Sequence, residues 1–399
     1  VSTIPWEIRE GDCLAVMASM EPASVDAIVT DPPYGLRFMG KAWDHGVPGE
    51  PFWREALRVA KPGAHLVAFG GTRTFHRLTC AIEDAGWEIR DCLSWLYGEG
   101  FPKSLDVSKA IDKGDPVTGA AQSWQGWGTA LKPAWEPIIL ARKPLAGTVA
   151  QNVLAHGTGA LNVDGCRIAT DEPWKAHSAT GLASVKFFTD GDAKVIDKEP
   201  HDLGRWPANV VLDEEAGRML DAQSGESVST GGQASLGAFR NGDIFGSGRD
   251  EREARDPGYG DSEGASRFFY CAKADGAERN VGLEGYEARR ESDRIKEDGP
   301  GGDNPRNRTN HAARNHHPTV KPVALMQWLV RLVARPGSLV LDPFTGSGTT
   351  GIAALRESCR FVGVELSPEY AEIARRRIVG DAPLLNQPAE RDSSVTGQP

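Results

Sequence analysis

Residues 338–378 of this 399-residue chain carry the pattern of one βαβ unit, and one such unit cannot make a sheet by itself. Ser338–Leu341 reads as a strand, Thr349–Glu357 as a helix, Arg360–Val364 as a strand and Pro368–Ile378 as a helix. Its apolar strands need parallel neighbours, and the rest of that pattern sits at the other end of the chain. There Trp6–Arg9, Val25–Thr30, His65–Phe69, Trp87–Tyr97 and Glu136–Ala141 read as strands. Leu14–Met20, Phe52–Ala60 and Arg73–Ala85 read as the helices between them, with Lys61-Pro62-Gly63 and Gly86 as stops. The expected fold is therefore α/β: a doubly wound, mostly parallel sheet of the seven-stranded Rossmann-like type. One core is built from both ends of the chain around a central insertion.

The insertion differs in character. Between 147 and 315 only Asn209–Leu212 and Arg267–Cys271 look like strands, while Ser224–Ser266 and Tyr286–Asn315 are polar and Gly-rich, the pattern of long mobile loops. The expected partition is 1–146, 147–315 and 316–380, followed by a polar tail over 381–399 that reads as disordered. No apolar run approaches the ~18 residues of a membrane span and no signal segment is read at the start, so a cytoplasmic protein is expected. The six cysteines show no Cys-x-x-Cys pair and the nine histidines no ligand spacing, so no metal site is expected.

The formal net charge of −10 argues against a polyanionic partner until its distribution is examined. From Asn304 to Leu341 there is no acid, while Arg306, Arg308, Arg314, Lys321, Arg331 and Arg335 are all present. A second cluster, Lys103, Lys109 and Lys113, lies near Trp124, Trp127 and Trp135. Both clusters suit phosphate contact. The three tryptophans are expected in the core.

Asp31-Pro32-Pro33-Tyr34 follows the apolar strand Val25–Thr30. Two prolines fix a rigid turn with few backbone donors, and Pro33 has no N–H. An ionised Asp31 only accepts, so its carboxylate and the Pro32 carbonyl form a pair of acceptors beside an aromatic ring. That arrangement suits a planar ring carrying an –NH2 group.

Asp342-Pro343-Phe344-Thr345-Gly346-Ser347-Gly348-Thr349-Thr350-Gly351 ends a strand and opens a helix. Gly346, Gly348 and Gly351 match G-x-G-x-x-G in the required context. Glu365, 23 residues after Asp342, ends the next strand, where a carboxylate can accept both hydroxyls of a ribose. No Lys follows the glycines, so this is not a P-loop. A nicotinamide dinucleotide and S-adenosylmethionine both remain open on this pattern. Asp342 beside the loop suits cationic sulfonium and ammonium groups better than a diphosphate.

Together these motifs resemble the amino-group DNA methyltransferases. Asp31-Pro32-Pro33-Tyr34 comes first, Asp342–Thr350 near the C-terminus and Phe361–Glu365 beyond it, the order of that family's beta class, which implies a circularly permuted sheet. Asn315–Pro322 is similar to the segment before the cofactor loop in that class, and Gly11-Asp12 to the adenosine-contacting position. Gly100–Asp112 resembles members carried by phages and prophages. The resemblance implies methyl transfer from S-adenosyl-L-methionine to the N6 amine of an adenine flipped out of double-stranded DNA. N4-cytosine transfer is the nearest rival, and Ser commonly replaces the Asp in cytosine enzymes. It implies catalysis at Asp31, Pro32, Pro33 and Tyr34. Phe344, Gly346, Ser347 and Gly348 would line the methionine side, with Asp342 beside the loop, Glu365 on the ribose and Asp12 on the adenosine. Thr319 and Lys321 would hold the amino-acid end. The chain has no Pro-Cys dipeptide, the nucleophile signature of C5-cytosine enzymes. Residues 147–315 are implied to read the target sequence. Pairing of two copies is common in the class, so a homodimer is compatible with the resemblance, while a restriction partner is not specified by it.

Overall fold

The structure is a computed structural model and describes residues 6–36, 44, 46–98, 100, 102, 104–114, 120–170, 204–228, 261–273, 277–288 and 314–381. In chain order the larger elements are β1 (Trp6–Glu10), α1 (Cys13–Ala18), β2 (Val25–Thr30), α2 (Glu50–Val59), β3 (Ala60–Phe69), α3 (Phe75–Asp84), β4 (Glu88–Leu96), α4 (Val107–Gly114), β5 (Trp135–Arg142) and α5 (Val149–His156). Then come β6 (Val210–Asp213), α6 (Glu214–Ser224), β7 (Ser227–Val228), β8 (Ser262–Glu263), β9 (Tyr270–Ala272), α7 (Val323–Val333), β10 (Leu339–Asp342), α8 (Thr349–Arg356), β11 (Arg360–Glu365) and α9 (Pro368–Asp381).

Both ends of the chain meet in one sheet of order β1-β11-β10-β2-β3-β5-β4-β6-β9. The expected seven strands, β1 to β4 in that order, are continued by β6 and β9 from the middle of the sequence. β10 lies parallel to β2, with Leu341 opposite Ile28, and β11 lies parallel to β10 and β1. β5 alone is shown antiparallel to its two neighbours, β3 and β4. As a result the carboxyl ends of β1, β11, β10, β2, β3 and β4, and the amino end of β5, share one edge.

Side-chain alternation along β3 separates two helical layers. Ala64, Leu66 and Ala68 join a core with Met17, Phe52, Trp53, Leu78 and Ile82, from α1, α2 and α3. The intervening Val67 and Phe69, also fully buried, face away from that cluster, and α7 packs on β2 and β3. α7, α8 and α9 pack in series, with Trp328 and Leu329 of α7 buried. β3 begins at Ala60, five residues before the expected His65. Its early part tolerates Pro62 because the β2–β3 register shifts between Val25 and Ala27, and Gly63, at φ 76°, sends its N–H to Lys143 instead.

Three elements differ from expectation. α4, α5 and α6 are helices in stretches to which the sequence reading assigned no element, although Thr148-x-x-Gln151 forms a full capping box on α5. Trp124 and Trp127 are not core: they are 43% and 60% exposed, edge-on to each other at 5.3 Å, in the β4–β5 excursion. The expected tail begins too early. Asp381 closes α9, and its carboxylate accepts from Arg356 at 2.6 Å. Residues 382–399, most of Ser224–Ser266 and of Tyr286–Asn315, Lys103, Arg306 and Arg308 lie outside the described residues.

The chain divides into two compact units, one of residues 1–166, 209–216 and 271–399, the other of 167–208 and 217–270. In the described part of the second, buried Arg205 and Arg267 organise the fold. Arg205 donates to both Asp261 oxygens, and both guanidinium groups stack on the Phe268 ring. Among the described residues no helix is long and apolar enough to cross a membrane.

Candidate active site

The shared sheet edge of the first unit opens into a cavity of about 630 Å³. Of the catalytic and cofactor-binding candidates, all but Gly348 line it: Asp12, Asp31, Pro32, Pro33, Tyr34, Thr319, Lys321, Asp342, Phe344, Gly346, Ser347 and Glu365. Placement outside the carboxyl ends of strands is where open α/β sheets bind ligands. A larger hollow along β1 and α9 contains neither the proline turn nor the glycine loop.

The glycine loop is built from its own residues and those of the next strand. Asp342 is 2% exposed and spends both oxygens locally. Oδ1 accepts from the Thr30 hydroxyl at 2.6 Å and the Phe344 N–H at 3.0 Å, and Oδ2 from the Thr350 hydroxyl at 2.5 Å. Burial raises its pKa to about 6 against the pull of those bonds. Asp342 thus holds the loop from beneath. Gly346 and Gly348 adopt φ 53° and 83°, the left-handed region. A Cβ on Gly348 would come within 2.9 Å of Ala374 Cβ in α9, so this glycine serves close packing beneath the cavity.

Glu365 reaches the loop from β11. Its Oε2 accepts from the Gly346 N–H at 2.9 Å and its Oε1 from the Ser367 N–H at 2.8 Å; burial raises its pKa. Each carboxylate oxygen keeps lone-pair capacity for a hydroxyl donor. Asp12 caps α1 through the Ala15 N–H at 3.0 Å while facing the cavity. Phe344 lies 4.9 Å from the Phe52 ring, half in the core and half on the cavity wall.

The proline turn is organised differently. Asp31 Oδ2 accepts from Lys321 Nζ at 2.7 Å and Oδ1 from the Tyr34 hydroxyl at 2.8 Å. The same hydroxyl lies 2.9 Å from Glu136 Oε2, and Lys321 Nζ lies 3.1 Å from Tyr34 Oη and 3.3 Å from Glu136 Oε2. Burial and the two carboxylates push the Tyr34 pKa well above 10, so the phenol stays protonated. Burial opposes the charge on Lys321, yet Asp31 and Glu136 outweigh it and raise its pKa. Three of the four groups are charged, two anions against one cation, a setting that favours further positive charge. Downstream, buried Asp44 accepts from the Gly35 and Leu36 N–H groups at 2.7 and 3.2 Å, and Thr74 donates to the Tyr34 carbonyl at 2.6 Å.

The Thr30–Asp342 hydrogen bond joins the two motifs, since Thr30 precedes Asp31 and Asp342 precedes the glycines. The structure therefore brings together the proline turn, the glycine loop and Glu365. It sets Lys321 on Asp31. Thr319 is exposed at the cavity mouth, its N–H directed to His317 Nδ1 at 3.4 Å.

Four participants escaped the sequence reading. Glu136 and Trp135 open β5 and line the cavity; an acid at the head of an otherwise apolar strand is the signal for Glu136. His317 also lines it, packed against Gly346, and burial lowers its pKa to about 3. Fully buried Arg377 of α9 supports the loop from below, donating to the Ser347 carbonyl at 2.6 Å, the Ser347 hydroxyl at 3.0 Å and the Thr349 hydroxyl at 3.1 Å.

Comparison with known proteins identifies the family. Residues 25–376 match the N6_N4_Mtase family of DNA methylases, and the chain belongs to that family. It is 31% identical over 116 residues to the type II methyltransferase M.HindIII of Haemophilus influenzae, covering 28% of this chain and 37% of that protein. It is 43% identical over 63 residues to the DNA adenine methyltransferase YhdJ of Escherichia coli K12, covering 16% and 21%. The chain thus spans well under half the length of the curated relatives it matches. Among solved structures, the cytosine-N4-specific PvuII DNA methyltransferase aligns with 94% of this chain and 87% of its own at 15% identity and a TM-score of 0.43.

Proposed function

We propose that this protein transfers a methyl group from S-adenosyl-L-methionine to the N6 amine of an adenine turned out of double-stranded DNA. The observation that carries this reading is the single cavity that holds an acceptor turn, a glycine loop and a terminal strand carboxylate, tied together through Thr30 and Asp342.

The residues present fit the donor. Glu365 would accept from the ribose hydroxyls, Asp12 would face the adenosine, and Phe344, Gly346 and Ser347 would flank the methionine side. The donor, when bound, supplies an electrophilic methyl group on a cationic sulfonium. Asp31 and the Pro32 carbonyl accept the two amine protons, which turns the nitrogen lone pair away from the purine ring and toward that methyl. The Tyr34 ring offers a face for the extruded base. The net anionic cluster of Asp31, Glu136 and Lys321 favours the positive charge that grows on nitrogen, and Asp31 is placed to take the proton afterwards. Base reading would fall to residues 147–315, as the family resemblance implies.

Asp31→Ala is expected to abolish methyl transfer, by at least ~10³-fold, with cofactor affinity nearly unchanged. Turnover retained by that variant would refute the mechanism. Incubation with unmethylated genomic DNA and cofactor, followed by nucleoside mass spectrometry, identifies the modified base. N6-methyladenine is the expected product, and N4-methylcytosine would transfer the same mechanism to the other amine.

A further inference from the structure

On the reading above, the substrate amine must hydrogen-bond to Asp31. Asp31 is not free: Lys321 holds Oδ2 at 2.7 Å and the Tyr34 hydroxyl holds Oδ1 at 2.8 Å. One of these partners has to yield an oxygen. Lys321 is the partner whose presence opposes the chemistry, because a cation on Asp31 cancels the charge that would stabilise a developing cation on nitrogen. Its side chain is only 9% exposed, and its ammonium lies 4.8 Å from the Phe69 ring and 5.4 Å from the Tyr34 ring. An ammonium released in such a place, without a second anion, is costly to leave unpaired.

Glu136 supplies that anion. Its Oε2 lies 3.3 Å from Lys321 Nζ, about half an ångström beyond a charge-assisted hydrogen bond. Its place is fixed by the sheet, where Glu136 of β5 pairs with Trp95 of β4, and its Oε2 is 2.9 Å from the Tyr34 hydroxyl. We propose that Glu136 is a positioning residue of the methyl-transfer site: Lys321 withdraws onto it when the substrate amine takes the Asp31 oxygen. In the closed-off state Lys321 neutralises Asp31. After the exchange Lys321 and Glu136 neutralise each other, and the full Asp31 charge faces the amine. The exchange requires only a shift within an existing contact.

The test is a two-by-two set of full-length variants assayed by single-turnover methylation of unmethylated DNA, with cofactor affinity measured by calorimetry. Glu136→Gln is expected to slow the methylation step about 30-fold while the cofactor Kd stays within about twofold. Glu136→Asp is expected to recover part of the rate. In a Lys321→Met background the same Glu136→Gln change is expected to cost less than about threefold, because the cation it positions is gone. Equal losses in both backgrounds would overturn the proposal, as would a Glu136→Gln enzyme as fast as the parent. A parent chain that binds the cofactor but methylates no DNA would instead refute the underlying functional reading.

Discussion

The two motifs that face each other across the cavity end adjacent parallel strands, yet they are held by opposite means. The glycine loop after β10 is fixed from within and below by short-range bonds: Asp342 to Thr350 and Phe344, Glu365 to Gly346, Arg377 to Ser347. The proline turn after β2 rests on Lys321 and Glu136, residues 290 and 105 positions away from Asp31, through charges shared among several partners. A loop of the first kind is a preformed receptor with little left to rearrange. A cluster of the second kind can exchange one partner for another at modest cost, which is what a turnover site needs.

The largest break in this contrast is expected at Gly348. Alanine there would be strained at φ 83°, and its Cβ would press on Ala374, so a loss of about 3 kcal/mol in stability is expected. Cofactor affinity should fall with it, while the methylation rate at saturating cofactor stays close to the parent. Thermal melting and a cofactor titration check both, and a silent Gly348→Ala would show that the loop is not the rigid partner.

Thr30→Val cuts the hydrogen bond that joins the two motifs. Thr30 is fully buried and donates to the equally buried Asp342, so removing the hydroxyl is expected to cost about 2 kcal/mol. Here cofactor Kd and methylation rate should worsen together, unlike any change confined to one side. A loss in only one of them would mean the motifs work independently. Tyr34→Phe is the smaller, one-sided counterpart. It keeps the ring and removes the bonds to Asp31 and Glu136, and is expected to slow methylation about fivefold with cofactor affinity intact.

The same contrast explains what the amino-acid sequence disclosed. The glycine loop was legible because its motif lies in one short segment and the end of the next strand, so Asp342, Gly346, Gly348 and Glu365 could be placed by spacing. β2 was legible to the residue, because a largely apolar run closed by Asp31-Pro32-Pro33 leaves little freedom. The partners of Asp31 were not legible. Glu136 looks like a polar start to an apolar strand, and Lys321 like one of several cations in an acid-free stretch. Only the antiparallel return of β5, and the entry of β10 between β11 and β2, bring both to the turn. Arg377 was hidden for the same reason, as an arginine on a helix whose buried face is known only once α9 packs under the loop. Trp124 and Trp127 failed in the other direction: average behaviour puts tryptophan inside, but in the β4–β5 excursion the two rings pack on each other and stay exposed.

The smallest effect separates the two regions by pH. His317, packed on Gly346, has its pKa lowered to about 3 by burial, reinforced by the cations Arg377, Lys321 and Arg279. The unfolded chain takes that proton near 6.5 and the folded chain resists it. The contribution of His317 is therefore present in full above pH 6.5 and is lost as pH falls from there toward 3. Asp342 has the opposite sign: raised to about 6 by burial, its contribution is full below the ordinary carboxylate value of 3.8 and is lost as pH rises through 6. Both buried groups favour their neutral forms, so between pH 4 and 6.5 they pull against each other on the same loop. His317→Gln removes one side of that balance. Its melting midpoint relative to the parent is expected to climb steadily as pH drops from 6.5 to 4.5, and to be constant from 7 to 8. Tyr34, pushed well above 10, does not titrate in this range, so Tyr34→Phe should show a pH-independent difference. A His317→Gln difference as flat as that of Tyr34→Phe would mean that burial on the glycine loop does not hold the His317 ring neutral.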